Sequence, residues 1–218
     1  RTDPRTGSEH RMTRGRFFVI SAPSGAGKTS LVKALIEEND RIGVAVSHTT
    51  RLQRSGETDG VNYHFVTSQI FQQMISAGDF LEWANVFGNL YGTSSAAVSK
   101  VLEGGQHLML EIDWQGAEQI RQKLDNAETI FVFPPSHTAL RDRLVTRDQD
   151  DPETVEKRLA NAMVELSQYR EFDYLIVNDD FDIALNDLKQ IVNGEGGTYR
   201  RDQALPQLQQ LLADLRLS

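Results

Sequence analysis

Phe17-Phe18-Val19-Ile20-Ser21-Ala22-Pro23-Ser24-Gly25-Ala26-Gly27-Lys28-Thr29-Ser30-Leu31-Val32-Lys33-Ala34-Leu35-Ile36 decides how the rest of the chain is read. A short apolar run of the kind a buried strand needs leads into a glycine-containing turn. Apolar residues at helical spacing follow the Gly-Lys-Thr triplet. Strand, turn and helix start in this order form a phosphate-cradling loop. The glycines let backbone N–H groups approach phosphate oxygens, and the helix N-terminus favours negative charge. Lys28 adds a cation, and Thr29 offers a hydroxyl to Mg²⁺. The letters alone are a weak signal, because Ala22 stands where the strict pattern has Gly; the strand before and the helix after carry the reading.

Working outward, apolar strand signals at 17–21, 107–112, 129–133 and 174–177 alternate with helical patterns at 28–38, 95–103, 115–124, 137–147, 153–169 and 181–192. Such alternation predicts an α/β fold, a parallel sheet covered by helices on both faces. A further strand signal at 43–47 leads into the segment 47–92. That segment reads as a smaller, partly antiparallel α+β insertion, with strands at 61–66 and 81–87 around a helix at 68–77. The densely charged stretch 141–151 reads as a solvated, mobile segment. After Gly194-Glu195-Gly196-Gly197, leucines 205, 208, 211, 212 and 215 predict one terminal helix over 203–215, whose docking surface is its own core or a second subunit.

The chain of 218 residues is 39% hydrophobic and 25% charged, with a net charge of −8 and no cysteine. The length supports one domain with inserted pieces. The negative balance argues against a nucleic-acid partner. The lack of cysteine excludes disulfides, thiolate metal sites and a cysteine nucleophile, and fits a cytoplasmic protein. No apolar run approaches a membrane span. The polar start lacks the apolar centre of a secretory signal, so 1–14 is expected to be a disordered extension or a tag.

Four further constellations carry chemistry. Ser47-His48-Thr49-Thr50-Arg51-Leu52-Gln53-Arg54-Ser55-Gly56-Glu57 places two arginines three residues apart beside hydroxyls, and arginine's planar fork suits bidentate phosphate contacts. Beside a phosphate loop, these arginines point to a second phosphate-bearing substrate. Glu111-Ile112-Asp113-Trp114-Gln115-Gly116 ends a strand with two carboxylates on one side, a place for Mg²⁺; Asp113 serves equally well as a helix N-cap. Glu82, in Phe80-Leu81-Glu82-Trp83, needs a partner if buried and matches the paired N–H donors of guanine; as a surface carboxylate it would need none. Arg141, Arg143, Arg147 and Arg158 read, on charge alone, as the solvated faces of two helices.

Taken together, the chain resembles the guanylate kinases, a family of nucleoside monophosphate kinases, over about 15–192. The resemblance rests on Ala22–Thr29, Val46-Ser47-His48-Thr49-Thr50-Arg51, Arg54-Ser55-Gly56-Glu57, Tyr63, Phe80-Leu81-Glu82, Tyr91-Gly92-Thr93-Ser94, Ile112-Asp113-Trp114-Gln115-Gly116 and Val177-Asn178-Asp179-Asp180. It implies a core (15–46, 93–140 and 170–218) for ATP, a GMP-binding insertion (47–92) and a helical lid (141–169). It implies transfer of the γ-phosphoryl group of ATP to GMP with Mg²⁺, through Lys28, Arg51, Arg54 and the lid arginines Arg143, Arg147 and Arg158. ATP would meet Ala22, Pro23, Ser24, Gly25, Ala26, Gly27, Lys28, Thr29 and Asn178. GMP would meet Ser47, Glu82, Thr93 and Asp113 at its base and Arg51, Arg54, Tyr63 and Tyr91 at its phosphate. Thr29, with Glu111 or Asp113 through water, would serve the metal. In this sequence Gln53 stands where the family usually has Pro, Glu111 replaces an Asp, Leu90 replaces a Tyr, and Thr146-Arg147-Asp148 replaces a Gly-Arg-Gly turn.

Two other classes share parts of the pattern. A GTPase switch would match Asp113-Trp114-Gln115-Gly116, but the chain has no Asn-Lys-x-Asp. A non-catalytic scaffold module on the same fold would lack a working ATP loop, whereas Lys28 and Thr29 are present.

Overall fold

The computed structural model describes residues 15–148 and 152–217, apart from the side chains of Arg147, Asp148 and Pro152. The extension expected over 1–14 lies outside the described residues.

Five strands, β1 (Phe17–Ser21), β2 (Ile42–Val44), β7 (His107–Glu111), β8 (Ala127–Phe133) and β9 (Tyr174–Val177), form an all-parallel sheet in the order β2-β7-β1-β8-β9. Successive side chains of a strand face opposite sides, and here both sides are dry. Phe17, Val19, Leu108, Leu110, Phe131 and Phe133 enter one core. Phe18, Ile20, Met109, Ile130 and Val132 enter the other. That is why these strands read as continuous apolar runs.

Helices α1 (Lys28–Glu38) and α7 (Phe181–Val192) seal the second core through Leu31, Leu35, Leu188 and Ile191. The first core is closed by α3 (Ser95–Glu103), α4 (Trp114–Lys123), α5 (His137–Asp148) and α6 (Pro152–Ser167). Among the described residues no helix is long and apolar enough to cross a membrane.

A second, four-stranded sheet has the order β4-β3-β6-β5, built from β3 (His48–Thr49), β4 (His64–Phe65), β5 (Phe80–Val86) and β6 (Asn89–Ser94), with α2 (Ser68–Ala77) between β4 and β5. Only β3–β4 is parallel. Gln119 and Lys123 of α4 bond the Trp83 and Leu81 carbonyls of β5, so the small sheet is fastened to the large one.

Several expectations need correction. The strand expected at 61–66 shrinks to His64–Phe65, because Asp59–Tyr63 turns through Gly60 at φ +74 with Asn62 and Asp59 accepting backbone N–H groups. Strand β6 was not foreseen. Residues 141–148 continue helix α5 rather than forming a charged connection. The single terminal helix is two pieces, α8 (Arg201–Ala204) and α9 (Gln209–Asp214), since Pro206 has no N–H to continue the helical bonding. The terminal leucines nevertheless find their partner: Leu212 and Leu215 are buried in the first core and Leu205, Leu208 and Leu211 pack on it.

Candidate active site

The phosphate loop leaves β1 at the carboxyl edge of the sheet, where the chain departs to α1 on one side while β8 and β9 lie on the other. Ligands of parallel α/β sheets gather at such a crevice. Gly25 and Gly27 hold φ near +89 and +88, and Gly27 caps α1 without any side-chain bond. A Cβ on Gly27 would sit 2.2 Å from Nδ2 of Asn178, which donates to the Ala26 carbonyl at 2.7 Å. Ala22 and Pro23 are buried at the loop's root, and Ala22 keeps a negative φ, so its methyl group needs no strain. Ser24 and Gly25 are half-buried.

Two cationic or hydroxyl groups leave the start of α1 toward β7. Lys28 Nζ donates to the Ile112 carbonyl at 3.0 Å, and the Thr29 hydroxyl donates to Glu111. Among the described residues no group of three or more His, Cys, Asp or Glu is placed to hold a metal ion. The Thr29 hydroxyl and the Glu111 carboxylate are hard oxygen donors of the kind that suit a Mg²⁺ ion.

Asp113 is the N-cap of α4: Oδ1 accepts from Gly116 N–H at 3.0 Å and Oδ2 from Gln115 Nε2 at 3.0 Å. On the far side of this segment stands Glu82, 3% exposed, with Oε1 buried and unpartnered among the described residues. Burial pushes its carboxyl up to about 7, with Asp113 adding to the rise and hydrogen bonding from Thr93 opposing it. Ser47 Oγ and Thr93 Oγ1 lie 2.9 Å apart nearby in sequence register, on the chain leading into β3 and on β6. A buried carboxylate oxygen without a donor is costly unless a ligand supplies one.

Arg51 is held on all sides. Its Nη1 and Nη2 donate to Glu57 at 3.1 and 2.7 Å, Nη1 also donates to the Leu52 carbonyl at 2.7 Å, and its guanidinium lies 5.5 Å from the Tyr63 ring centroid and 5.7 Å from that of Phe65. The Glu57 bonds raise the pKa of Arg51 further. Tyr63 and Tyr91 meet edge to face at 5.8 Å. Burial, then Glu111, pushes the Tyr63 phenol up to about 12, so it stays a proton donor at neutral pH. Arg54 is exposed, and its guanidinium makes no bond among the described residues.

On the other flank, Arg143 of α5 donates through Nη2 to the Asn178 carbonyl at 3.1 Å, while its Nη1 is buried without a partner. Leu140 and Leu144, on the same helix, lie against Gly25. Arg158 is half-buried on α6 and Arg141 pairs with Glu156, joining α5 to α6. The side chain of Arg147 lies outside the described residues.

Two acidic residues escape a reading of the sequence as a list of cations. Glu57 organises the arginine loop; its place three residues after Arg54 was the available signal. Glu165 interrupts the buried stripe Leu159, Ala162, Leu166 and Tyr169 of α6. Burial lifts its carboxyl to about 7, opposed by the charge of Lys28 and reinforced by that of Asp113.

The guanylate kinase family model matches residues 14–195. The chain is 51% identical over 201 residues to the guanylate kinase of Alkalilimnicola ehrlichii, covering 92% of this chain and 98% of that one. It is 53% identical over 201 residues to that of Pseudomonas fluorescens, covering 92% and 97%. The crystal structure of guanylate kinase from Anaplasma phagocytophilum superposes with a TM-score of 0.71 at 30% identity, covering 94% of this chain and 97% of that one.

Proposed function

The chain belongs to the guanylate kinase family and transfers the γ-phosphoryl group of ATP to GMP, and we propose that it does so by holding the two nucleotides on opposite sides of the segment Glu111–Gly116. One observation carries this reading. Lys28 and Thr29 touch the Glu111–Ile112 end of that segment from the phosphate loop. Glu82 lies so close to its other end that a Cβ on Gly116 would come within 2.5 Å of Oε2. A phosphate donor and a guanine-bearing acceptor placed there meet head to tail.

The residues divide the work accordingly. The loop Ala22–Thr29 wraps the ATP phosphates with its N–H groups; Asn178 braces the loop beside the adenine end, and Arg143 brings an unpartnered Nη1 to the same flank. Arg51, Arg54, Tyr63 and Tyr91 take the GMP phosphate. Glu82 receives guanine N–H donors on its orphan oxygen, with Ser47, Thr93 and Asp113 around the ring. Adenine offers no matching pair of donors, and so the site selects GMP. Thr29, with Glu111 or Asp113 through water, would hold the Mg²⁺ that comes with ATP, and that ion would supply neutralisation of phosphate charge.

The acceptor oxygen of GMP is already anionic, so no general base is required. Lys28, Arg51, Arg54 and the arginines of α5 and α6 (Arg143, Arg147 and Arg158) stabilise charge on the transferring group. The α5–α6 region, 141–169, closes over the cleft, and the insertion 47–92 carries GMP toward it; closure excludes water as a competing acceptor. The setting is the cytoplasm, in keeping with the lack of cysteine.

A coupled ADP-release assay with GMP, AMP, UMP and dTMP tests the reading. Turnover with GMP alone is expected. ATP or GTP hydrolysis without an acceptor would indicate a switch instead, and no turnover at all would indicate a scaffold.

A further inference from the structure

Beyond the anchored Arg51, residues 52–57 of the arginine loop project from the protein that carries them. Leu52 is 87% exposed, and Gln53, Arg54, Ser55 and Gly56 are exposed as well. No hydrogen bond of residues 52–57 reaches beyond 51–57 among the described residues; its order comes from bonds within itself. Glu57 is the hub. Its carboxylate takes both Nη atoms of Arg51 and, on Oε2, the Arg54 N–H at 2.8 Å. Its own N–H donates to the Arg54 carbonyl at 3.2 Å, closing the turn through Gly56 at φ +85. A further bond holds the hub's main chain on its carbonyl side: Gln53 Nε2 donates to the Glu57 carbonyl at 2.5 Å.

We infer that Gln53 is a positioning residue for GMP, whose side-chain amide locks the Glu57 backbone and thereby aims Arg51 and Arg54 at the incoming phosphate. The amide spans the loop's mouth from residue 53 to residue 57, so it restricts the same backbone that a rigid residue at 53 would restrict by its own dihedral. Without it, Glu57 keeps its carboxylate bonds but its main chain swings, and the Arg54 N–H and the Arg51 fork move with it. An arginine that must be reordered on binding gives up part of its affinity to that ordering. The Gln53 amide is spent on the Glu57 carbonyl, so its effect is expected in GMP binding and not in the transfer step.

This rests on the reading that Arg51 and Arg54 hold the GMP phosphate, and the test separates the two. Gln53→Met keeps the length and neutrality of the side chain but cannot donate; Gln53→Ala removes it. With Mg·ATP saturating, both variants should raise the KM for GMP by roughly three- to tenfold, the worth of one net hydrogen bond, with kcat and the KM for ATP within about twofold. Hydrogen exchange over 51–57 should quicken in both, with Tm unchanged. An unaltered KM for GMP in Gln53→Met, or an equal rise in the KM for ATP, overturns the inference. Arg54→Ala is the control: if it too leaves the KM for GMP unchanged, the phosphate reading of the loop fails; if it raises that KM while Gln53→Met does not, only the role of Gln53 falls.

Discussion

Asn178, at the end of the edge strand β9, donates its side-chain amide to the carbonyl of Ala26 in the phosphate loop, a 2.7 Å bond between residues 152 apart in sequence. The same amide nitrogen occupies the space where a Cβ on Gly27 would stand. The sheet's last strand and its first loop are thus fitted to each other.

That fit predicts a coupled pair of substitutions. Gly27→Ala must place a side chain at φ +88 and against Asn178, so it should cost about 2–4 kcal/mol in urea denaturation. Asn178→Ala leaves the buried Ala26 carbonyl unanswered, at about 1–3 kcal/mol, and raises the KM for ATP more than that for GMP. The double variant should cost less than the sum, because the clash partner has gone. Strict additivity would count against the contact.

Glu82 predicts a conflict between stability and binding. Its carboxyl titrates near 7 when folded and near 4.5 when unfolded, so the native state holds the proton more tightly. The associated stabilisation is fully present below about pH 4.5 and is lost as pH rises through about 7. Glu82→Gln should therefore be more stable than the parent at pH 8, by up to about 3 kcal/mol, with the difference vanishing near pH 4. The same variant should bind GMP at least about tenfold more weakly, having lost the charged acceptor. Thermal melts across pH, paired with GMP titrations, check both halves.

Lys28→Ala should abolish turnover, by at least about a thousandfold, since the lysine serves charge that develops on the transferring group. Its bond in the free protein is a half-buried one to the Ile112 carbonyl, so stability should fall by only about 1 kcal/mol. Near-normal activity in a folded Lys28→Ala protein would refute its assignment.

The neighbouring rings of His48 and His64 make the small sheet sensitive to acid. The rings lie 4.7 Å apart across paired strands, and His48 Nδ1 is buried without a partner. Burial and then His64 depress the pKa of His48, against the pull of Asp59 and Asp79. The stability it contributes is present above about 6.5 and is lost as pH falls through the depressed folded value. Ser47 and Tyr63 flank the pair, so GMP affinity should weaken below pH 6, and less so in His64→Gln. Calorimetric titration of GMP at pH 8 and pH 5.5 makes the comparison.

The parts legible in the sequence were those whose physics is local. Helices α2, α3 and α7 begin where their caps are: Thr67, Ser94 and Asp180 each accept an N–H at the start of a helix. The buried strands announced themselves because both faces are covered. Strand β6 did not, since Asn89-Leu90-Tyr91-Gly92-Thr93-Ser94 has a glycine at its centre and no alternation; its extended shape is imposed by β5 and β3. Gly92 is there for packing, with Phe71 and Phe80 at 3.0 and 2.9 Å from where a Cβ would be. Glu165 was hidden for a related reason: only the packing of α6 turns a carboxylate inward. The candidate site was legible as motifs, while the pairings within it, Gln53 with Glu57 and Asn178 with Ala26, exist only once the chain has folded.

The bond from Asn178 to Ala26 also sets an order of events during synthesis. While only residues up to 173 have emerged from the ribosome, β1, the glycine loop and α1 can assemble, yet the Ala26 carbonyl has no donor and the edge beside β8 lies open. The nucleotide cradle is completed only when Asn178 joins it. A nascent chain stalled before that point would carry the whole glycine motif and still grip ATP poorly.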